Sequence, residues 1–375
     1  MSAVPLAVTT LAIAGHAVIV RALLARSYEL GLPQRIWNAL FALHALVGIA
    51  GAFVLARVIG RSWPDLAPGW AAYVMLCMVA IAIGGVVLAL RGRANVPGQL
   101  AMRAEVADSC AALQHVPSGE GKTAWVARCL PGNQIFTTEF VHREIRLPRL
   151  PDALDGLSIL HLTDLHMNGL PDRSFFEWAC ARCADERPDL VAMTGDVIDH
   201  LGVVNWLPST LGRFVERAPL GCYFVLGNHD LHVAGTEIRA AMEELGWTSL
   251  AGRVITKDAR GHSLLLAGTE RPWAGEDPPL AGAPRADLRI LLSHAPHLVR
   301  IARRQHVDLM LAGHLHGGQI SWPLLGPLNG GRFHGGLYDV PPTLLHVGRG
   351  LGQMAMAPYR WRCPPEVTTL ILRAG

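Results

Sequence analysis

Leu157-Ser-Ile-Leu-His-Leu-Thr-Asp164-Leu-His166 is a short, mostly apolar run that ends abruptly in a carboxylate and an imidazole. The same pattern recurs four times downstream. Leu190–Thr194 runs into Gly195-Asp196, and Cys222–Leu226 into Gly227-Asn228-His229-Asp230. Leu288–Ser293 runs into His294, and Leu309–Ala312 into Gly313-His314-Leu315-His316. Apolar runs of about four to eight residues, bounded by turn residues, read as buried strands. The segments between them, such as Ser174–Glu186 and Thr236–Leu245, carry helical spacing. Strands that alternate with helices predict an α/β domain. In sheets covered by helices, ligands gather where the strands end.

The residues at those ends are oxygen and imidazole donors. Such donors suit Mn, Fe, Zn and similar ions. No cysteine takes part, which argues against a structural thiolate zinc site. A carboxylate can bridge two ions, and Asp196, midway in the series, is the natural bridge. Two ions about 3.5–4 Å apart clamp a phosphate and turn a shared water into hydroxide. Gly195, Gly227 and Gly313 each precede a candidate ligand, where the chain must turn sharply. Taken singly the blocks are weak: Asp-x-His and Gly-Asp arise often by chance, and a lone His294 reads as an ordinary packed histidine. Gly-Asn-His-Asp and Gly-His-x-His are rarer, and the five in order carry the weight.

In that order the blocks resemble the calcineurin-like metallophosphoesterase family over roughly residues 157–372. The tail His346-Val-Gly-Arg-Gly-Leu-Gly352, followed by Pro365-Glu366, resembles its bacterial membrane-linked branch. That branch includes enzymes that cleave the pyrophosphate of UDP-2,3-diacylglucosamine. The resemblance implies a four-layer fold, with two packed mixed β-sheets flanked by helices. It implies that Asp164, His166 and His316 hold one metal, that Asn228, His294 and His314 hold the other, and that Asp196 bridges them. His229 would face the substrate and protonate the leaving oxygen. Asp230 would orient that imidazole. Arg349, in a glycine-rich loop, is a further candidate for touching a substrate phosphate, since Arg binds phosphate bidentately. Asp199 could support a ligand, although a turn or cap role is the simpler reading. His161 reads as packing within its strand, and His297 as either near the site or merely exposed.

The remainder of the chain is unusually greasy. Of its 375 residues, 51% are hydrophobic and 17% charged, against roughly a quarter charged in typical soluble domains. Three uncharged apolar runs explain this: Val4–Val20, Ile36–Ala56 and Gly69–Leu90. About 20 apolar residues cross a bilayer core, so the second and third are long enough and the first is marginal. Trp37, Trp63 and Trp70 fall near run ends, as interface aromatics do. Residues 1–92 therefore read as an all-α membrane region of about three transmembrane helices, 93–150 as a connector, and 151–375 as the catalytic domain. Within the connector, Ala101–Gln114 reads as a short amphipathic helix. Arg21, Arg26 and Arg35 in the first loop, with Arg91, Arg93 and Arg103 after the third run, outnumber Arg57 and Arg61 in the second. This bias predicts a multi-pass cell-membrane protein with a cytoplasmic catalytic domain.

Residues 1–90 carry five Arg against two acids, and the whole chain is +3. The catalytic part is thus near neutral, with no electrostatic footprint for nucleic acid. Seven scattered cysteines form no disulfide framework, and Cys180 and Cys183 simply share a helix face. The stretch Gly317–Pro342, with Trp322, Leu324, Leu325, Leu328, Phe333 and Leu337, is either ordinary loop packing or an apolar wall suited to a lipid-like substrate. The sequence thus predicts a binuclear phosphohydrolase cleaving a phosphoester or pyrophosphate by metal-bound hydroxide, on a lipid-linked substrate at the membrane. Its rival is a tethered phosphodiesterase or phosphatase for soluble nucleotides or other phosphoesters.

Overall fold

The computed structural model describes residues 6–29, 34–56, 68–91, 98–119, 121–322, 326–327, 332–353 and 358–375. Two compact units emerge, one from residues 1–95 with 321–332, the other from 96–320 with 333–375. The first unit is three apolar helices: α1 (Leu6–Glu29), α2 (Gln34–Ala56) and α3 (Pro68–Arg91). Gly15 lies against the Cys77 backbone and Gly51 against the His16 ring, so missing side chains let the helices approach closely. His16 bonds Tyr73 Oη at 2.6 Å and the Gly48 carbonyl at 3.1 Å. Leu6–Leu24 and Pro68–Val86 are each long and apolar enough to cross a membrane. Trp63 and the Arg57 to Arg61 loop lie outside the described residues.

The second unit follows the chain as β1 (Gln99–Asp108), α4 (Ser109–Leu113), α5 (Lys122–Cys129), β2 (Thr137–Leu147), β3 (Ser158–Leu162), α6 (Arg173–Asp185), β4 (Leu190–Thr194), α7 (Leu207–Thr210), β5 (Cys222–Val225), α8 (Asn228–Glu244) and β6 (Thr248–Ser249). It continues with β7 (Val254–Ala259), β8 (His262–Thr269), β9 (Leu288–Ser293), α9 (Val299–Arg304) and β10 (Leu309–Ala312). The two-residue strands β11 (Ser321–Trp322) and β12 (Gly326–Pro327) belong to the first unit. The second unit ends with β13 (Gly336–Val340), β14 (Thr343–Val347) and β15 (Glu366–Ala374).

One sheet has the order β1-β2-β15-β3-β4-β5-β6 and the other β13-β14-β10-β9-β8-β7. Both are mixed: β3, β4, β5 and β6 run parallel, as do β8, β9, β10 and β14, with antiparallel strands added outside these sets. The period-2 alternation of side chains builds the layers. On β4, Leu190 and Ala192 join the core between the sheets, while Val191 and Met193 join the core under helices α6 to α8. A third core packs α9 against the outer face of the second sheet, completing four layers. The sequence-predicted α/β architecture of two packed sheets flanked by helices is observed.

Residues 93–150 are more than a connector. They supply β1 and β2, two strands of the first sheet. The helix expected across Ala101–Gln114 is instead β1 followed by the single turn of α4. The physical signal was there: Leu100, Met102, Ala104 and Val106 alternate with Ala101, Arg103, Glu105 and Ala107, a period of two rather than 3.6.

Leu370 of β15 is fully buried between the sheets. Leu370→Ala should destabilise the domain by about 2–5 kcal/mol, whereas exposed Leu201→Ala should change stability by less than about 0.5 kcal/mol. Thermal unfolding of the detergent-solubilised protein checks both.

Candidate metal centre

The five motifs converge because β3, β4, β5, β9 and β10 each end at the same edge of the sandwich. Asp164 and Asp196 leave their strands with backbones locked together: Asp164 N donates to Gly195 O at 2.9 Å, and His166 N to Asp196 O at 2.9 Å. Their side chains meet the other sheet's motifs. His314 N donates to both carboxylate oxygens of Asp164, at 3.1 and 3.0 Å. A Cβ on Gly313 would overlap Thr163 Oγ1 and Asp164 Oδ2, and one on Gly227 would overlap the Asp196 carboxylate. Only glycine admits so close an approach of backbone to carboxylate. Five of the seven predicted ligands, Asp164, His166, Asp196, His314 and His316, have left-handed backbones with φ between 43° and 77°. Such residues are uncommon in that region and cluster where a site demands them.

The side chains form two groups. Asp164, His166 and His316 offer donor atoms within 4.8 Å of one another, as do Asp196, His294 and His314. Asp196 touches both groups, with Oδ2 3.4 Å from His166 Nε2 and 3.1 Å from His294 Nε2. Asp164, Asp196, His166, His294 and His316 are all buried. Asn228 sits in the first turn of α8, and its buried Oδ1 has no hydrogen-bond partner among the described residues. A buried acceptor left unsatisfied is costly, and a cation satisfies it. The imidazoles are oriented from behind: His294 Nδ1 bonds the Thr194 carbonyl at 2.7 Å and His166 Nδ1 bonds Asp199 Oδ1 at 2.7 Å.

The electrostatics are those of a site built around positive charge. Burial penalises charge on His166, but Asp199, Asp196 and Asp164 outweigh it and raise its pKa to about 10. Burial likewise opposes ionisation of Asp196, yet His294, His229 and His166 hold it well below the usual carboxylate range. Asp164 is raised, by burial first and then by Asp196 among its neighbours. Two anions this close share a limited supply of positive charge, which bound cations would complete.

Two expectations are corrected. Asp230 was expected to orient His229, but its carboxylate is occupied elsewhere. It accepts from Val197 N and Ile198 N at 2.8 and 3.1 Å and from Gly227 N at 3.0 Å, which ties the β4 and β5 turns together. The carboxylate facing His229 is Asp199, whose Oδ1 lies 3.1 Å from His229 Nδ1. Arg349 was expected to reach substrate phosphate. Its Nε pairs with Glu366 at 2.5 Å and its Nη2 with Glu139, which makes it an internal clamp between the loop after β14 and the first sheet. His161 packs, bonding His346 Nδ1 across the sheets at 2.8 Å and Thr194 Oγ1 at 2.9 Å. His297 is half-buried.

Of the apolar stretch after His316, Leu324, Leu325 and Leu328 lie outside the described residues. Leu337 belongs to the core between the sheets, and Phe333 packs on the second sheet. Sequence reading missed Trp273, whose ring lies 5.0 Å from that of His314 and 5.5 Å from that of His294. It also missed Arg360, which is fully buried. Arg360 donates to the carbonyls of Arg349, Gly352 and Cys363 at 2.9, 3.0 and 3.2 Å, and approaches His316 Nδ1 at 3.1 Å. Burial lowers its pKa to about 10.

The calcineurin-like phosphoesterase profile matches residues 157–318. Phosphodiesterase YaeI of Escherichia coli is 32% identical over 237 residues, covering 60% of this chain and 86% of that one. The chain belongs to the calcineurin-like phosphoesterase family. YkuE of Bacillus subtilis, an uncharacterized metallophosphoesterase, is 28% identical across 66% of this chain and 89% of its own. The match to the transmembrane protein with metallophosphoesterase domain of Danio rerio extends over 91% of this chain and 82% of that one, at 26% identity. The chain is thus a phosphoester hydrolase of a family that uses a binuclear divalent metal centre.

Asp199 and Asp230 should separate by phenotype. Asp199→Asn should lower kcat about 10- to 100-fold with little change in melting temperature, because it orients histidines. Asp230→Ala should instead lower the melting temperature, since it leaves three buried N–H groups unpaired. Paired kinetic and thermal measurements distinguish them.

Proposed function

We propose that this phosphoesterase acts at a membrane, holding two divalent cations and hydrolysing a phosphoester or pyrophosphate of a lipid-linked substrate. The observation that supports it most directly is the pair of buried donor groups joined by Asp196, beside the unpartnered oxygen of Asn228. Asp164, His166 and His316 would hold one ion and Asn228, His294 and His314 the other, with Asp196 shared between them. Mixed oxygen and nitrogen donors fit Mn, Fe or Zn. When bound, such ions neutralise phosphate charge and lower the pKa of water.

The remaining chemistry falls to side chains already in place. His229 keeps 29% of its side chain exposed at the site. With Nδ1 on Asp199, its Nε2 is free to carry the proton that a leaving oxygen requires. The same imidazole, next to developing negative charge, would favour the transition state over the ground state. Asp199 therefore links a ligand, His166, to the proton donor, His229.

Membrane attachment is supported by the two helices of sufficient length. Only 22% and 11% of their apolar windows are buried, whereas the core helix of a soluble protein hides most of its surface. The arginine bias supports a cytoplasmic catalytic domain. The lipid-linked substrate is proposed on the strength of that attachment. The second reading, a phosphodiester in solution, is favoured by similarity to Phosphodiesterase YaeI.

Detergent-solubilised protein assayed on UDP-diacylglucosamine and on nucleotide diesters separates the two. Higher kcat/KM on the lipid pyrophosphate is expected, and preference for the soluble diesters would overturn the lipid reading. On bis-p-nitrophenyl phosphate, Asp196→Asn should abolish turnover, and His229→Ala should cost about 10²–10⁴ in kcat. Full activity in either variant refutes the assigned role. A chelator should remove activity and added Mn or Zn should restore it.

A further inference from the structure

The metal centre opens on one side. Asp164, His166, Asp196, His294 and His316 are buried, whereas Asn228, His229 and His314 are half-buried. Trp273 is half-buried beside them, its ring centroid 5.0 Å from that of His314 and 5.5 Å from that of His294. An indole thus stands against both imidazoles of the second donor group. Its own turn holds it there. Trp273 N and Ala274 N both donate to Glu270 O at 3.1 Å, just past the end of β8. Glu270 is buried; its Oε1 accepts from Leu226 N at 2.8 Å and its Oε2 pairs with Arg239 of α8 at 2.7 Å. Leu226 lies two residues before Asn228, so this turn and the Asn228 ligand share one anchor. Part of the indole packs with the core around α9. A ring held in place before its partner arrives loses little freedom on contact.

We propose that Trp273 is a specificity-determining residue. Its indole stacks on a planar, unsaturated ring, such as a nucleobase, carried by the ester group that stays on the phosphate. The proposal rests on the two-ion reading above and on His229 as the proton donor. The make-up of the opening selects a flat ring over an acyl chain. Beside Trp273 stand Asn228, His229 and His314, an amide and two imidazoles. A chain of methylenes calls for a wall of several apolar side chains, and Phe333 and Leu337 are already taken up by the cores. An indole face among polar groups suits a ring that is itself flat and edged with polar atoms.

Placement selects which ester group meets the indole. The His229 ring lies 4.6 Å from that of His166, in the first donor group, while Trp273 lies against the second. Proton donor and indole therefore flank different halves of the centre. The leaving oxygen goes with His229, and the group that remains on phosphorus lies toward Trp273. UDP-diacylglucosamine and nucleotide diesters both carry such a ring, so the indole recognises what the two candidate substrates share.

The test compares diesters that share p-nitrophenol as leaving group and differ in the group retained: bis-p-nitrophenyl, methyl p-nitrophenyl and hexyl p-nitrophenyl phosphate. The detergent-solubilised full chain is assayed with added Mn or Zn. The ratio of kcat/KM, aryl over methyl, does not depend on how much of a variant folds or holds its ions. Trp273→Ala is expected to lower that ratio about tenfold, through KM. Trp273→Phe, which keeps a ring, is expected to lower it less than about threefold. An unchanged ratio in Trp273→Ala overturns the proposal. So does an equal fall in the hexyl-over-methyl ratio, which would make the indole a general apolar wall. Loss of bound metal in both variants overturns it too, by reassigning Trp273 to ligand support. Wild type that turns over none of the three diesters would remove the two-ion reading itself.

Discussion

The buried carboxylate of Asp196 is the constraint around which the rest is arranged. It is almost wholly removed from solvent, and its Oδ2 lies within 3.4 Å of an imidazole from each donor group. Its other oxygen accepts from His229 N at 2.9 Å. An ionised carboxylate in such surroundings is expensive unless fully compensated. Compensation comes from two sheets at once: His166 from β3, His229 from the turn after β5 and His294 from the end of β9. The packing of the sheets and the polarity of the site are therefore one problem. The apolar core between the sheets aligns the strand ends, and the strand ends neutralise the charge that the core could not tolerate.

That solution is strained. Five left-handed non-glycine residues each cost on the order of 1–3 kcal/mol, and they persist because strands on both sides fix them. Glycines at 227 and 313 make room for the carboxylates, and Arg360 gathers the carbonyls of the loop after β14 behind His316. Strain of this kind is tolerated where geometry has to be held before the ligand arrives.

Much of this was legible in the sequence. The five apolar runs with polar ends marked β3, β4, β5, β9 and β10, and the donors at those ends converge as their order implied. What escaped had weak local signals. β1 is an edge strand exposed on both faces, so it lacks the apolar run that flags a buried strand. Asp199 and Asp230 are both acids three residues or fewer beyond a motif residue. Sequence spacing could not tell which faces His229, because that depends on how the β4 turn folds under α8. Arg349 and Arg360 look like surface arginines until β15 brings Glu366 beside the first and the turn at Cys363 closes over the second. The apolar helices were visible by composition.

Metal content is the most direct test of a centre bridged by Asp196. Elemental analysis of the purified, untreated full chain should find two divalent ions per polypeptide among Mn, Fe and Zn. A chain that is catalytically active with none bound, and that gains none on dialysis against these metals, would contradict it.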